Sequence, residues 1–302
     1  MAAKKKINLN QCFLKSRLTF CLLKLKKILF LYPHLKALVL TRQKAYKRTK
    51  MAFGPPTRRL LVLDFDETLT SVDTVNLLRD LLPAHRRPKD INLNRDGWIN
   101  YANSIFEMLR LAGFSSTELR NLIAAIPPVP SMVEFIKHLY EACDPKYDII
   151  IISDANTIFI NDWIAKHSLT KCIKAIFTNS AFIVSSDGLY VQPFNNNNKC
   201  PLSPPNLCKR AILEEYVMKR YGLGIKYERV IFIADGAHDY CPTLGMCKDD
   251  IVCVRKGKDL EKKVRCYRKR CKVRPLLLLW TTGHELLKLL ESALDCVTIS
   301  CI

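Results

Sequence analysis

Three short apolar runs, each stopping at side chains that can handle phosphate, constrain this chain more than any other feature. Leu60-Leu-Val-Leu63 ends at Asp64, Tyr147-Asp-Ile-Ile-Ile-Ile152 ends at Ser153-Asp154, and Val230-Ile-Phe-Ile233 leads to Asp235-Gly236. Runs this short read as strands, and their unbroken apolarity fits burial on both faces, as in a parallel sheet. Residues 251–254 and 173–178 read as two more strands. Helical periodicity covers 132–142, 158–167, 209–221 and 285–294. Strands alternating with helices predict an α/β fold, a doubly wound parallel sheet. Ligands of such sheets gather at the carboxyl ends of the strands, so the three polar termini are expected to converge.

Two insertions break the alternation. Residues 71 to about 140 separate the first two strands, far more than a crossover helix requires. They read as helices at 75–82, 98–112 and 116–125, a small helical cap. Residues 182–194 carry two β-prone runs around Ser185-Ser-Asp-Gly188, a hairpin signal. An Asn run at 195–198 and a Pro-rich stretch at 201–205 then form a loop leading to Lys209. The expected organisation is a leader over 1–55 and one domain over 56–295.

Charge divides the chain the same way. Net charge is +20, yet residues 1–50 hold fourteen Lys and Arg and no acid, the first acid being Asp64. That leaves thirty-four basic against twenty-eight acidic residues in the remainder. The leader admits two readings: a mitochondrial presequence, or a flexible, disordered appendage ahead of a true start at Met51, the second being favoured. Lys24, Lys26, Lys27 and Lys36 interrupt its apolar part, so no membrane span is expected, and the domain is expected in the cytoplasm. A second basic stretch, 255–274, is read as a solvated helix and loop, with no nucleic acid expected as partner. Thirteen Cys make an odd set. Cys200 and Cys208 flank Ser203, and Cys241 and Cys247 form another pair. Neither pair has CxxC spacing, which argues against structural zinc.

Two carboxylates two residues apart, just past a strand end, can divide labour in phosphoryl transfer. Asp64 can attack phosphorus while Asp66 protonates the leaving oxygen and later activates water. The alternative is an acidic turn in which Asp66 merely caps. Asp64-x-Asp66-x-Thr68, Ser153, Lys209 at a helix start, and Asp235-Gly-Ala-His-Asp239 resemble, in order, the four motifs of the haloacid-dehalogenase (HAD) superfamily.

Narrower elements, Ser153-Asp-Ala-Asn156, Cys200-Pro with Asn206-Leu-Cys-Lys209, and Asp235-Gly-Ala-His-Asp-Tyr-Cys-Pro242, resemble the phosphoethanolamine/phosphocholine and pyridoxal phosphate phosphatases over roughly 56–295. The resemblance implies a Mg2+-dependent phosphatase with a HAD-like (Rossmannoid) core and a small phosphorylated metabolite as substrate. It implies Asp64 as nucleophile, Asp66 as general acid and base, and Lys209 as charge partner. Ser153 would bind phosphate, Asp73 and Asp154 would contact substrate, and Asp64, Asp235 and the Asp66 carbonyl would ligate the metal. Asp239 would stand behind the metal or hold Lys209, with direct ligation as the other option.

Departures from the family are Ala234 and His238 in the fourth motif and Ser203 where a Cys is frequent. His238 is read as pointing to solvent, with a perturbing place close behind the metal as the other option. Asp73 is the only acid in Ser71-Val-Asp-Thr-Val75, where the choline-type enzymes are acid-rich, which favours pyridoxal phosphate or a broader range of esters. Trp98 and Tyr101 are read as core residues, with stacking on a ring substrate as the sharper reading. Other readings are a pyrophosphatase, another HAD phosphatase or mutase, and a catalytically inactive binding protein.

Overall fold

The computed structural model describes residues 58–88, 92–143, 146–185, 187–268 and 273–299; the leader lies outside the described residues. Seven strands form one sheet: β1 (Arg58–Leu63), β2 (Lys146–Asn156), β3 (Ala175–Ile183), β4 (Leu189–Gln192), β5 (Tyr227–Ala234), β6 (Ile251–Arg255) and β7 (Leu276–Trp280). Their order is β4-β3-β2-β1-β5-β6-β7. All neighbours are parallel except the β3–β4 hairpin.

Burial explains why the strands read as unbroken apolar runs. Leu61, Leu63, Ile149, Ile151, Ile231 and Ile233 face one apolar cluster, while Leu60, Val62, Ile150, Ile152, Phe232 and Ala234 face another. The side-chain period of two thus feeds a core on each face. Helices cover both: α4 (Met132–Glu141), α5 (Thr157–Lys166) and α9 (Gly283–Ile299) contribute to the first, α6 (Lys209–Gly222) and α8 (Asp259–Arg268) to the second.

The structure adds one strand to those expected and lengthens another. The β7 run, Leu276-Leu-Leu-Leu-Trp280, was not foreseen as a strand, because leucine favours helix and tertiary pairing with β6 decides the outcome. The strand expected to stop at 152 continues to Asn156, with its register against β3 shifting between Ile152 and Asn156.

Between β1 and α4 in the chain lie α1 (Thr74–Asp80), α2 (Asn92–Leu111) and α3 (Ser116–Ala124). Gly97, at φ 77°, breaks helical geometry inside α2, a conformation that costs glycine little. Ser115 caps α3 with a full capping box to Glu118. Tyr101, Ile105, Phe106, Leu109, Leu119 and Ile123 join the same apolar cluster as the sheet face. Asn103 exchanges two hydrogen bonds with the Val191 backbone (2.9 and 2.8 Å), and Arg120 grips Asp162 of α5 (2.7 and 2.9 Å).

At the amino end of the sheet, buried Asp148 collects Arg58 (2.8 Å), Lys174 (2.8 Å), Arg220 (3.1 Å) and Tyr227 Oη (2.6 Å). Nothing in its local sequence singled it out.

Candidate active site

Strand register determines which side chains meet. Leu63 lies opposite Ile151 on one side and Ile233 on the other. Asp64 therefore leaves the sheet at the level of Ile152 and Ala234, one residue before Ser153 and Asp235. Because β2 lies on one side of β1 and β5 on the other, this edge is the topological switch point of the sheet.

At that edge Lys209, the first residue of α6, points its Nζ between two carboxylates, Asp64 Oδ2 at 2.7 Å and Asp239 Oδ1 at 2.6 Å. All three residues are at most 3 % exposed. Burial alone would raise the Asp64 pKa, but the charges and hydrogen bonds of Lys209 and His238 together outweigh it and hold the carboxylate far below its ordinary range. The Phe65 N–H also donates to Asp64 Oδ1, at 2.7 Å.

Asp66 takes the opposite course. Its Oδ1 accepts from the Thr74 N–H at 2.9 Å, yet burial, helped by the nearby Asp73 charge, pushes its pKa well up. Two carboxylates two residues apart are thus driven in opposite directions, the pattern that separates a nucleophile from an acid. Glu67, between Asp66 and Thr68, adopts φ 52°. Arg255 at the end of β6 donates to the Glu67 carbonyl, and Lys258 pairs with its carboxylate. The start of the basic stretch therefore braces the first-motif loop, a role the solvated-helix reading missed.

Asp235 follows β5 and accepts from the Thr68 hydroxyl at 3.1 Å. Burial first, then the charges of Asp64 and Asp239, raise its pKa to about 8. Buried Asp239 accepts from the Gly236 N–H at 3.0 Å and from Lys209, which places it beside the lysine, one of the two expected positions. The buried Ser153 Oγ accepts from the Ala155 N–H at 3.3 Å. Asp154 lies beyond it, its carbonyl taking hydrogen bonds from Trp98 Nε1 (3.1 Å) and Asn179 Nδ2 (2.7 Å). Asp73 caps α1 by accepting from Asn76 N–H at 2.7 Å, and burial raises its pKa to about 6. Asn156 caps α5 through the Phe159 N–H.

His238 stays 35 % exposed but turns its ring onto the site. Its Nε2 lies 3.2 Å from Asp64 Oδ2, 3.5 Å from Asp239 Oδ2 and 3.8 Å from Asp154 Oδ1. The ring folds back over Gly236, where a Cβ would come within 2.4 Å of its Cε1. Burial opposes its charge, but the carboxylates of Asp154 and Asp239 prevail and raise its pKa to about 10. The sequence held this signal in part, since a residue inside the fourth motif sits on the turn that faces the first.

The cysteines also depart from expectation. Cys241 joins Cys200 and Cys208, the three sulfurs lying within 4.8 Å of one another, and Cys247 is exposed elsewhere.

The parallel sheet and the four convergent motifs define a HAD-like phosphatase, a phosphoric monoester hydrolase. The chain belongs to the family described as Putative Phosphatase, which it matches over residues 59–294. It is 32% identical to Probable phosphatase phospho2 of Xenopus tropicalis over 79% of this chain and 99% of that one. Pyridoxal phosphate phosphatase PHOSPHO2 of Homo sapiens is 29% identical over 77% of this chain and 97% of its own length. Phosphoethanolamine/phosphocholine phosphatase of Homo sapiens is 27% identical, over 72% and 81%. Among solved structures, a HAD-family hydrolase from Salmonella enterica serovar Typhi superposes with TM-score 0.54 at 17% identity, covering 77% of this chain and 71% of that one. Phosphoserine phosphatase, solved as a phospho-aspartyl intermediate analogue, gives TM-score 0.50 at 18% identity, covering 77% and 98%. Among the described residues no helix is long and apolar enough to cross a membrane.

Proposed function

We propose that the chain hydrolyses small phosphomonoesters through a phosphorylated Asp64, with pyridoxal phosphate as the leading substrate. The observation that carries the reading is the buried Asp64–Lys209–Asp239 cluster at the switch point, with Asp66, Ser153 and Asp235 on the same edge. The Asp64 carboxylate attacks phosphorus, and the bond to the ester oxygen breaks as Asp66 gives that oxygen its proton. Asp66, now ionised, takes a proton from water as the water oxygen attacks the aspartyl phosphate, freeing phosphate and Asp64. Lys209 offsets charge on the nucleophile, and the Ser153 hydroxyl donates to a phosphoryl oxygen. Asp154 and Asp73 flank the space for the rest of the substrate.

The donor set fits a hard divalent cation. Asp235 is almost fully buried among like charges, with the Thr68 hydroxyl as its side-chain partner, and such a carboxylate needs a cation to stay ionised. Asp64, Asp235 and the main-chain carbonyl of Asp66 would hold Mg2+, which prefers oxygen ligands and keeps room for phosphate. Bound there, the ion neutralises charge on the transferring phosphoryl oxygens.

Two observations favour pyridoxal phosphate over a choline-type ester. The relatives include pyridoxal phosphate phosphatases at nearly full length. Trp98 reaches the Asp154 carbonyl and stacks on the buried Tyr101, with ring centroids 6.0 Å apart and 29° between planes, which sets one partly exposed aromatic ring beside the site. The test is phosphate release from pyridoxal phosphate, phosphoethanolamine and phosphocholine, with Mg2+ and then with EDTA. The expected result is Mg2+-dependent release, fastest from pyridoxal phosphate and abolished by Asp64→Asn. Undiminished release by Asp64→Asn removes the nucleophile assignment.

A further inference from the structure

Behind Lys209 lies a second cluster that phosphoryl transfer does not use. Cys200 and Cys241 bring their sulfurs to 3.3 Å, and the Ser203 hydroxyl lies 3.5 Å from Cys200 Sγ and 3.4 Å from Cys208 Sγ. The sulfurs of Cys200, Cys208 and Cys241 all fall within 4.8 Å of one another. Cys208 and Cys241 are at most 4 % exposed, and Cys200 is partly open to solvent. Three sulfurs and one oxygen thus converge from three directions: the loop before α6, the residue preceding Lys209, and α7 (Tyr240–Gly245).

We infer that Cys200, Cys208 and Cys241, with the Ser203 hydroxyl or a water as fourth donor, form a zinc site that clips the third motif to the fourth. Three soft sulfur donors select Zn2+ over Mg2+, and four-coordinate tetrahedral binding suits three thiolates and one oxygen. The local backbone is built for it. The Ser203 N–H donates to the Cys200 carbonyl at 3.3 Å, closing a turn. Asn197 locks the loop from within, donating to the carbonyls of Cys200, Ser203 and Pro204 at 3.1, 3.3 and 3.0 Å and accepting from the Cys200 N–H at 3.1 Å.

The ion would tie Cys208, adjacent to Lys209, to Cys241, two residues past Asp239. Lys209 and Asp239 are the 2.6 Å pair that braces the nucleophile. The site is therefore structural and separate from the hard-oxygen cation site.

The test uses the full chain, purified without chelators under reducing conditions, with metal content read by mass spectrometry and Co2+ substituted as a spectroscopic probe. One zinc per chain is expected, and Co2+ should give intense visible bands with sulfur-to-cobalt charge transfer. Outer partners of a metal site already account for about 10–100-fold in affinity, so losing the ligand in Cys200→Ser should weaken zinc at least that much. Ser203→Cys should tighten it, and Cys143→Ser, at an exposed position elsewhere, should leave it unchanged. Cys200 is partly exposed, so its variant tests the site even where the buried Cys241→Ser fails to fold. Wild-type protein with reduced thiols that takes up neither ion overturns the inference. So does zinc held equally well by Cys200→Ser, or a Cys200–Cys241 disulfide in the freshly purified chain.

Discussion

Replacing Lys209 by methionine keeps the length of the side chain and removes its charge, which leaves the buried Asp64 and Asp239 with His238 as their cationic partner. The lysine nitrogen lies 2.7 Å from one and 2.6 Å from the other. At an effective dielectric of about 20, each contact carries about 6 kcal/mol of attraction. Dehydrating the ammonium and the carboxylates returns several kcal/mol per ion, and breaking a buried pair by removing one partner costs about 3–5 kcal/mol net. The pH dependence has a definite sign. Asp239 already titrates at about 6 with the lysine present; without it, both acids protonate more readily. The stability deficit of Lys209→Met should thus be largest in alkali and shrink as pH falls. Urea unfolding in EDTA, at about pH 8 and about pH 5, brackets that transition. Loss of the charge partner should also lower kcat by about 10²–10³ or more. A deficit under about 1 kcal/mol at alkaline pH, or one that grows in acid, refutes the argument.

Thr68→Val removes the hydroxyl that steadies Asp235 at 3.1 Å; the Mg2+ concentration for half-maximal activity should rise about 10–100-fold. Asp148→Asn strips charge from a buried cluster of three cations and should cost about 2–4 kcal/mol at neutral pH. The Asp148 pKa is lowered in spite of burial, by Lys174 and Tyr227 among others, so its contribution is complete above the unfolded value of about 3.9 and fades as pH falls below it. Chemical unfolding of both proteins from neutral to acid pH reads the convergence. Gly283→Ala would drive a Cβ to 2.1 Å from the Ser131 carbonyl oxygen, a backbone atom. It should cost about 1–3 kcal/mol, seen as a lower Tm.

The parts of the site legible in the sequence are those where local pattern and chemistry coincide. Asp64, Ser153 and Asp235 each close an apolar run, and parallel strands in register must bring such ends together. Lys209 was legible through its resemblance to the third HAD motif, a lysine that opens a helix after an irregular loop. What escaped is non-local. Cys241 pairs with Cys200 across forty-one residues, and spacing within either segment carries no trace of that meeting. The orientation of His238 depends on a glycine that leaves room for the ring, which composition does not encode. Asp148 looks like any polar residue near a strand start until four partners from four segments surround it. The Leu276–Trp280 run lacked β-branched residues, so only the neighbouring strand reveals it as sheet.

The central claim is that phosphate passes through Asp64, and trapping the phosphoryl group tests it most directly. Asp66→Asn lacks the base for the second step but needs no acid when the leaving group is 4-nitrophenolate. Mixed rapidly with 4-nitrophenyl phosphate and Mg2+, it should release one equivalent of nitrophenolate in a burst. After acid quench, the chain should carry one hydroxylamine-labile phosphoryl group on the peptide containing Asp64. A phosphoryl group on any other residue, or nitrophenolate and phosphate released in step with none bound, contradicts the account.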